Sequence, residues 1–257
     1  AWIEPQTLLL EQRLIKGRSE LELLRRCAAL AAEAHLEVMR HLRPGMLALE
    51  LEGRFGLSLR RGGAREAFPT LIAAGDTAQC LHDAANLGRL EAGQLLLVDG
   101  GAELGGYRSD VTRSLPVGGR LDPAQRALLE ALFAIQERLL RALRPGLSVG
   151  ALEQLGARLQ CEALIELGLL RGDPEALCAA GAQRGFTRHR LCHFVGIDVH
   201  EGGAQALTPG RRLEPGMLLA IEPGFYLPRD DPRVPGPYRG LCARLEDQAL
   251  ITATGAD

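Results

Sequence analysis

Two stretches of the chain repeat one another, and this internal duplication constrains the fold more than any other feature of the sequence. Residues 89–101 and 212–224 both begin with Arg-Leu-Glu, continue through a Gly into an apolar run, and end with an acidic residue before a Gly-containing turn. A short apolar run bounded by turn residues is typical of a buried strand. Asp99 and Glu222 therefore each stand at the end of a predicted strand.

The helical patterns are duplicated as well. A Leu-Arg-Pro-Gly run ends a pattern of helical spacing at 42–45 and again at 143–146, because Pro and Gly stop helices. Ser19 followed by Glu22 predicts a capping box at the start of the first helix, and Asp122 before a Pro predicts the start of the second. Two copies with different inserts predict an α+β fold of two halves related by a pseudo-twofold axis, and not a solenoid.

Composition excludes several classes of function. The chain has 257 residues and a formal net charge of −2, so it can bury a substantial core and carries no basic footprint for nucleic acid. Its apolar runs are too short to span a membrane. The six cysteines show no Cys-x-x-Cys spacing, which favours a reducing compartment. We expect a cytoplasmic or mitochondrial protein with neither nucleic acid nor membrane as a partner.

Each half carries a second acidic residue on the next predicted strand. Asp110 follows Asp99 in an Arg-Ser-Asp run, and Glu246 follows Glu222 in the Arg-Leu-Glu run that begins at Arg244. One such residue alone is most often a solvated turn residue. Four carboxylates that met at the pseudo-twofold axis would repel one another and resist burial unless cations offset their charge. The joint pattern favours a site for two divalent metal ions.

Four histidines lie close to these strands in the sequence. They are His82, His189, His193 and His200. The last three cannot share one helix or strand face at their spacing, so the chain has to bend near Gly196 for them to meet. His35 and His41 fall within the first predicted helix and at its end, where exposure or the helix dipole accounts for them. We assign no chemistry to these two.

Several runs resemble one family of metal-dependent peptidases. They are Asp99 to Gly101, Tyr107 to Arg113, His193 to Glu201, Glu214 to Met217, Ile221 to Tyr226 and Arg244 to Asp247. These runs are similar to the pita-bread metallopeptidases, and most similar to the catalytic domain of the aminopeptidase P group, the Xaa-Pro aminopeptidases of the bacterial and mitochondrial branch. The resemblance covers essentially the whole chain and implies the pita-bread fold, a mostly antiparallel curved sheet with helices outside.

The resemblance also implies a role for each candidate residue. The metal ligands would be Asp99, Asp110, His193, Glu222 and Glu246, with Asp110 and Glu246 bridging two ions. The catalytic residues would be His82, His200 and Glu222, and the substrate-binding residues would be His189, Tyr226 and Arg244. This ligand set suits manganese first, with cobalt, iron and zinc as further candidates. A hydroxide between the ions would cleave the N-terminal residue from peptides with proline at the second position.

Two other functions remain open from the sequence. A prolidase-type Xaa-Pro dipeptidase shares the five ligands, and a pita-bread domain without metal could serve as a binding or scaffold domain. Residues 1–16 look like the trailing linker of a missing N-terminal domain, so we expect the catalytic domain at 17–257 and any homo-oligomer to involve the full-length protein. Asp83 beside His82, and Cys192 and Phe194 on either side of His193, depart from the family pattern, which bears on rate and subsite preference.

Overall fold

The structure, a computed structural model, describes residues 5–80 and 85–257, without the side chains of 6–8. The helices of this part are α1 (Pro5–Leu14), α2 (Arg18–His41), α3 (Ala48–Arg61), α4 (Pro123–Ala142), α5 (Val149–Glu166), α6 (Pro174–Ala179) and α7 (Gly203–Ala206). The strands are β1 (Arg65–Glu66), β2 (Leu71–Ala74), β3 (Leu95–Asp99), β4 (Ala102–Leu104), β5 (Tyr107–Arg108), β6 (Thr112–Pro116), β7 (Cys192–Phe194), β8 (Leu218–Ile221), β9 (Gly224–Tyr226), β10 (Cys242–Arg244) and β11 (Asp247–Leu250). None of the helices in these two ranges is long and apolar enough to cross a membrane.

Two three-stranded antiparallel sheets form the centres of the two halves. In the first, β3 lies between β2 and β6, and in the second, β8 lies between β7 and β11. The two central strands are the apolar runs that repeat in the sequence. Two smaller antiparallel sheets, β1-β4-β5 and β9-β10, accompany them. The same strand order in both halves confirms the predicted duplication.

The duplicated Leu-Arg-Pro-Gly runs make the same backbone contact in each half. Gly45 N–H donates to the carbonyl of Leu90 at 2.7 Å, and Gly146 N–H donates to the carbonyl of Leu213 at 2.8 Å. Both glycines have positive φ values, +89° and +82°, a region that residues with a Cβ rarely adopt. Each loop therefore ties the end of a helix to the segment that leads into the central strand of its half.

Of the two helix caps predicted from the sequence, one is confirmed and the other is wrong. Asp122 caps α4 as predicted, since its carboxylate accepts the backbone N–H of Gln125 at 2.8 Å. The prediction of Ser19 as the cap of α2 is wrong. The helix begins earlier, and Glu20 accepts the N–H of Gly17 at 2.7 Å. Lys16 N–H bonds the distant Gly216 carbonyl at 2.9 Å, and this tertiary contact fixes where the chain enters the helix.

Side-chain alternation along the central strands separates the helix-facing core from the site. Leu96 and Val98 are buried against α2 and α3, so Asp99 points from the opposite face of β3. In the second half, Ile221 belongs to the core packed against α4 and α5, and Glu222 follows it on the other face. Both acidic residues of the duplicated motif are thereby directed away from the helices.

The end of the predicted linker packs on the catalytic part. Leu14 is fully buried in the larger core, and the Arg13 guanidinium lies 2.5 Å from the carboxylate of the buried Glu201. Helix α1 therefore shares a core with the residues that follow it. The boundary between the linker and the catalytic domain stays a prediction.

Gly101 offers a direct test of the turn that joins the acidic strands of the first half. A Cβ at this position would lie 1.7 Å from the backbone oxygen of Ser109, which cannot rotate away. We expect Gly101→Ala to lower the free energy of unfolding by about 3 kcal/mol in urea denaturation. Gly53→Ala is the control, since a Cβ there in α3 meets nothing within 4 Å. This variant should raise the free energy of unfolding by up to about 1 kcal/mol. Equal stability of the two variants would contradict the close approach.

Candidate metal centre

The five side chains predicted as metal ligands line one cavity of about 590 Å³. Asp99 ends β3, Asp110 precedes β6, His193 is the middle residue of β7, Glu222 follows β8, and Glu246 lies between β10 and β11. Both halves of the duplication contribute, because each places its two acidic residues at the ends of neighbouring strands. The cavity therefore lies where the two halves meet, as the pseudo-twofold axis predicted.

His193 lies within reach of three of the four carboxylates. Its Nε2 is 3.3 Å from Glu246 Oε1 and 3.5 Å from Asp110 Oδ2. It is 3.7 Å from Glu222 Oε1. On the other side of the ring, Nδ1 is 3.0 Å from the carbonyl of Val199, which assigns the Nδ1 proton and leaves Nε2 to face the carboxylates.

The ligand-type atoms form three groups whose members lie within 4.8 Å of one another. The groups are Asp99, Asp110 and Glu246; His193, Glu222 and Glu246; and Asp110, His193 and His200. Asp110, Glu246 and His193 each belong to two groups. Of these, only the two carboxylates offer two oxygens each, so each of them could bind both ions, as the resemblance implies.

The donor atoms fit a pair of divalent cations. Asp99 Oδ1 and Asp110 Oδ1 are buried and have no hydrogen-bond partner in the described part of the chain. A buried polar atom without a partner costs about 1–3 kcal/mol, and more if charged. Carboxylate oxygens with one imidazole nitrogen are ligands that manganese and similar ions accept. Coordination would satisfy both oxygens and offset the charge of the cluster.

Burial and repulsion shift the pKa values in the cluster. Burial and the charge of Glu246 raise the pKa of Asp99 to about 6, against the attraction of Arg244. Burial and the neighbouring carboxylates also raise the pKa of Asp110. Burial alone would lower the pKa of His193, but the hydrogen bond and charge of Glu246 raise it to about 9. The cluster thus retains protons that divalent ions would displace.

Thr112 joins the two halves beside the cluster. Its hydroxyl donates to Glu246 Oε2 at 2.7 Å, and the backbones of the two residues form an isolated antiparallel bridge. Burial would raise the pKa of Glu246, but its bonds to His193 and Thr112 and the charge of Arg244 lower it to about 2. No role for Thr112 was predicted from the sequence. Its period-two spacing from Asp110 was a usable signal, because it places both side chains on one face.

Arg244 is the cation that links the cluster to the inner core. Its guanidinium is hydrogen-bonded to Asp99, to Thr112 Oγ1 at 3.1 Å and to the Tyr226 hydroxyl at 2.6 Å. Arg244 lines the cavity, whereas Tyr226 is fully buried behind it and does not belong to the cavity wall. Of these two predicted substrate-binding residues, the structure thus brings Arg244 to the cavity. It places Tyr226 behind Arg244, in contact with the guanidinium.

His189 lines the cavity beside Glu222. Its Nδ1 lies 3.1 Å from Glu222 Oε2 and 2.8 Å from the carbonyl of Arg190. Its ring stands edge-on to that of Tyr226 with the centroids 5.4 Å apart. The Nε2 atom is buried and lacks a hydrogen-bond partner within 5–80 and 85–257. This nitrogen lies against Gly224, where an added Cβ would be 3.1 Å from it.

His200 lies on an exposed loop next to the cluster. Its ring centroid is 4.5 Å from that of His193. The next residue, Glu201, is buried and fixes the loop by accepting the N–H groups of Ile197 at 2.9 Å and Asp198 at 3.3 Å. The chain bends at the predicted position near Gly196. His82 and Asp83 lie outside the described residues.

The pKa of Asp99 predicts how stability depends on pH after the protein is treated with a chelator. A carboxyl with a raised folded-state pKa contributes stability below its unfolded pKa and loses it as the pH rises through the folded value. For Asp99 this window runs from 3.8 to about 6. Relative to the wild type, Asp99→Asn should therefore gain up to roughly 2 kcal/mol of unfolding free energy across the window. Urea denaturation at several pH values measures this gain, and a difference that does not change with pH would contradict it.

Comparisons with known proteins place this site in a family. The model of Metallopeptidase family M24 matches residues 22–253. The Xaa-Pro aminopeptidase of Escherichia coli (strain K12) is 39% identical over 246 residues, which cover 95% of this chain and 56% of that protein. A zinc-substituted Escherichia coli aminopeptidase P in complex with product matches with a TM-score of 0.95 at 38% identity, covering 99% of this chain and 58% of that one. Proline aminopeptidase P II from Yersinia pestis matches with a TM-score of 0.93 at 40% identity, covering 98% and 58%.

This chain thus spans less than two thirds of the length of these relatives. The structural matches cover nearly all of it and confirm the predicted pita-bread fold. The matched range 22–253 contains the cavity and all five residues predicted as ligands. The chain belongs to metallopeptidase family M24.

Proposed function

We propose that this chain is the catalytic part of a dinuclear metal-dependent aminopeptidase that hydrolyses the bond between an N-terminal residue and a following proline. The observation that carries the proposal is the convergence of the ligand atoms of Asp99, Asp110, His193, Glu222 and Glu246 into overlapping groups whose members lie within 4.8 Å of one another. The substrate class is supported by the similar proteins, which are named Xaa-Pro aminopeptidase. The chain spans 56% of the Escherichia coli relative, so the proposal concerns the part that contains the candidate metal centre.

Two divalent ions would be held by the groups already described. Asp99, Asp110 and Glu246 would bind one ion. His193 and Glu222 would bind the other, with Asp110 and Glu246 shared. Such a pair lowers the pKa of water to generate a nucleophile near neutral pH and polarises a carbonyl group. We expect manganese first because oxygen ligands predominate, and the zinc-substituted Escherichia coli relative makes zinc the second ion to test.

Glu222 would move the proton of the attacking water. Its Oε1 faces His193 at 3.7 Å and its Oε2 faces His189 at 3.1 Å, while the side chain still lines the cavity. A carboxylate in contact with both the cluster and the substrate space can accept a proton and deliver it to the leaving nitrogen. Glu222 would then act as ligand and as general base.

Two histidines would stabilise the charge that develops on the substrate. His200 lies beside His193 at the cavity wall, where an imidazole N–H can donate to the carbonyl oxygen under attack. His82 is proposed for the same kind of role from the sequence alone. A donor of this kind contributes about 3 kcal/mol to lowering the barrier in comparable sites.

The cavity wall offers features that suit proline. Phe68, Pro69 and Leu71 give it an apolar side, and His189 also lines the cavity. The nitrogen of an Xaa-Pro bond carries no hydrogen, so this position of the substrate needs packing and not a hydrogen-bond acceptor. We propose that His189 and Arg244 bound the proline site and that Tyr226 holds Arg244 in place.

Two other functions are compatible with this fold. A prolidase-type dipeptidase would use the same ligands and accept Xaa-Pro but not longer peptides. A binding or scaffold domain without metal would not need buried carboxylate oxygens that lack partners among the described residues, such as Asp99 Oδ1 and Asp110 Oδ1. The presence of these atoms favours an enzyme.

The decisive experiment measures metal content and cleavage on the same protein. We expect about two metal ions per chain after loading with Mn²⁺, release of the first residue from an Xaa-Pro-Xaa peptide, and loss of cleavage with a chelator. Cleavage of Xaa-Pro alone would favour the dipeptidase. Neither metal binding nor cleavage would favour the scaffold domain.

Matched variants test the shared ligand. Asp110→Asn keeps the shape of the side chain but removes a charged ligand atom common to two groups. We expect kcat/KM to fall by more than about 100-fold with a lower metal content. Glu162→Gln is the control, since this carboxylate lies on α5 and pairs with Arg138 and Arg158 outside the cavity. Equal losses in both variants would contradict the assignment of Asp110.

Tyr226→Phe tests the support of Arg244. The change removes the hydroxyl that accepts the Arg244 Nη1–H at 2.6 Å and leaves the buried ring in place. We expect kcat/KM to fall about tenfold, because a buried donor left without its partner costs about 1–3 kcal/mol, with the metal content unchanged. Tyr238→Phe, in the 3₁₀ turn Gly236–Tyr238, is the control. Full activity of Tyr226→Phe would show that the hydroxyl is not needed.

A further inference from the structure

His35 contacts the backbone beside two predicted metal ligands. It lies in α2 and is buried, with 3% of its surface exposed, so the expectation from sequence that exposure accounts for it is wrong. Its Nε2 is 3.1 Å from the carbonyl of Val111 and 3.3 Å from that of Gly100. Gly100 follows Asp99 and Val111 follows Asp110, so one side chain holds the backbone next to both carboxylates of the first half.

Gln136 makes the corresponding contacts in the second half. It lies in α4 and is buried. Its Nε2 donates to the carbonyl of Ile221 at 2.9 Å and to Asp247 Oδ2 at 3.3 Å. Ile221 precedes Glu222 and Asp247 follows Glu246. One helix-borne amide therefore holds the chain next to both carboxylates of the second half.

The two residues occupy the same position in the internal duplication. His35 precedes Gly45 by ten residues, and Gln136 precedes Gly146 by ten residues, where each glycine closes a Leu-Arg-Pro-Gly run. Different side chains at this repeated position present the same group, an N–H at the ε2 atom, to the strand ends of their own half. In both halves, therefore, this helix position provides an N–H donor, although the residue type differs.

Packing alone does not account for a histidine at this place. Its neighbours on the same helix face, Ala31, Ala34 and Val38, are fully buried and apolar. The Nδ1 atom of His35 is buried and has no partner among the described residues, a cost that a leucine would avoid. Burial lowers the pKa of His35 to about 4, so the ring is neutral near pH 7. The two carbonyls can only accept, so its proton lies on Nε2.

We propose that His35 and Gln136 are equivalent positioning residues, one in each half, which hold paired carboxylates at the separation that binding of two divalent ions requires. The proposal rests on the proposed function, since it assigns these residues to the same metal centre. His35 acts through two backbone carbonyls, and Gln136 acts through the carbonyl of Ile221 and the side chain of Asp247. Neither residue is among those that would hold the ions. Metal affinity depends on such supporting hydrogen bonds because they fix the ligands before the ion arrives.

The test compares variants that keep or remove the N–H donor. His35→Leu removes it, while His35→Gln places in the first half the side chain that the second half already uses. Gln136→Leu removes the donor of the second half. Val38→Ala, one turn along α2, is a control that opens a buried cavity without removing a donor. Chelator-treated chains are titrated with Mn²⁺ by calorimetry, and urea denaturation of the same samples gives their stability.

We expect His35→Leu and Gln136→Leu each to weaken the binding of one Mn²⁺ by about tenfold or more. His35→Gln should keep the affinity of the wild type, and Val38→Ala should lose stability with unchanged Mn²⁺ binding. Wild-type affinity in both leucine variants, or a loss in Val38→Ala as large as theirs, would overturn the proposal and leave the proposed function standing. A wild-type chain that binds no Mn²⁺ would overturn both. Because the two leucine variants change different halves, the other variant still tests the proposal if one of them fails to fold.

Discussion

The repulsion among the buried carboxylates is the constraint on which the rest of this structure depends. Asp99, Asp110 and Glu246 come within 4.8 Å of one another, an arrangement that is unfavourable for charged groups removed from water. Arg244 and His193 supply positive charge on opposite sides of the cluster, and two carboxylate oxygens still have no partner in the described part of the chain. The surrounding fold therefore holds these carboxylates together, and bound cations would offset their remaining negative charge.

The fold does so with rigid elements from both halves. Strand alternation directs the acidic residues away from the helices, and the bridge between Thr112 and Glu246 joins the halves at the cluster. Helices α2 and α4 reach the same strand ends from behind through His35 and Gln136. The His200 loop lies outside these strands and helices, and there the buried Glu201 ties the loop to Arg13. A site built on strands in this way holds its ligands more precisely than a site on loops.

Much of this organisation could be predicted from the sequence. The duplicated runs located both central strands and the acidic residue at the end of each. The predicted cap of α2 was wrong because a hydrogen bond between Lys16 and the distant Gly216 sets the residue at which that helix begins. Tyr226 was predicted to contact substrate, but it lies behind Arg244, since the sequence does not show the depth of a residue on a curved sheet.

The sequence by itself determined the elements and the residue types of the site, because strand alternation, helix stops and the duplication are local patterns. Tertiary structure alone decided which carboxylates are close enough to share an ion, and it gave a role to His35. The contacts that settle these points, such as His193 with Glu246 and His35 with Val111, join residues far apart in the chain. Distances of this kind depend on how the helices and strands pack against one another, and no local pattern along the chain fixes them.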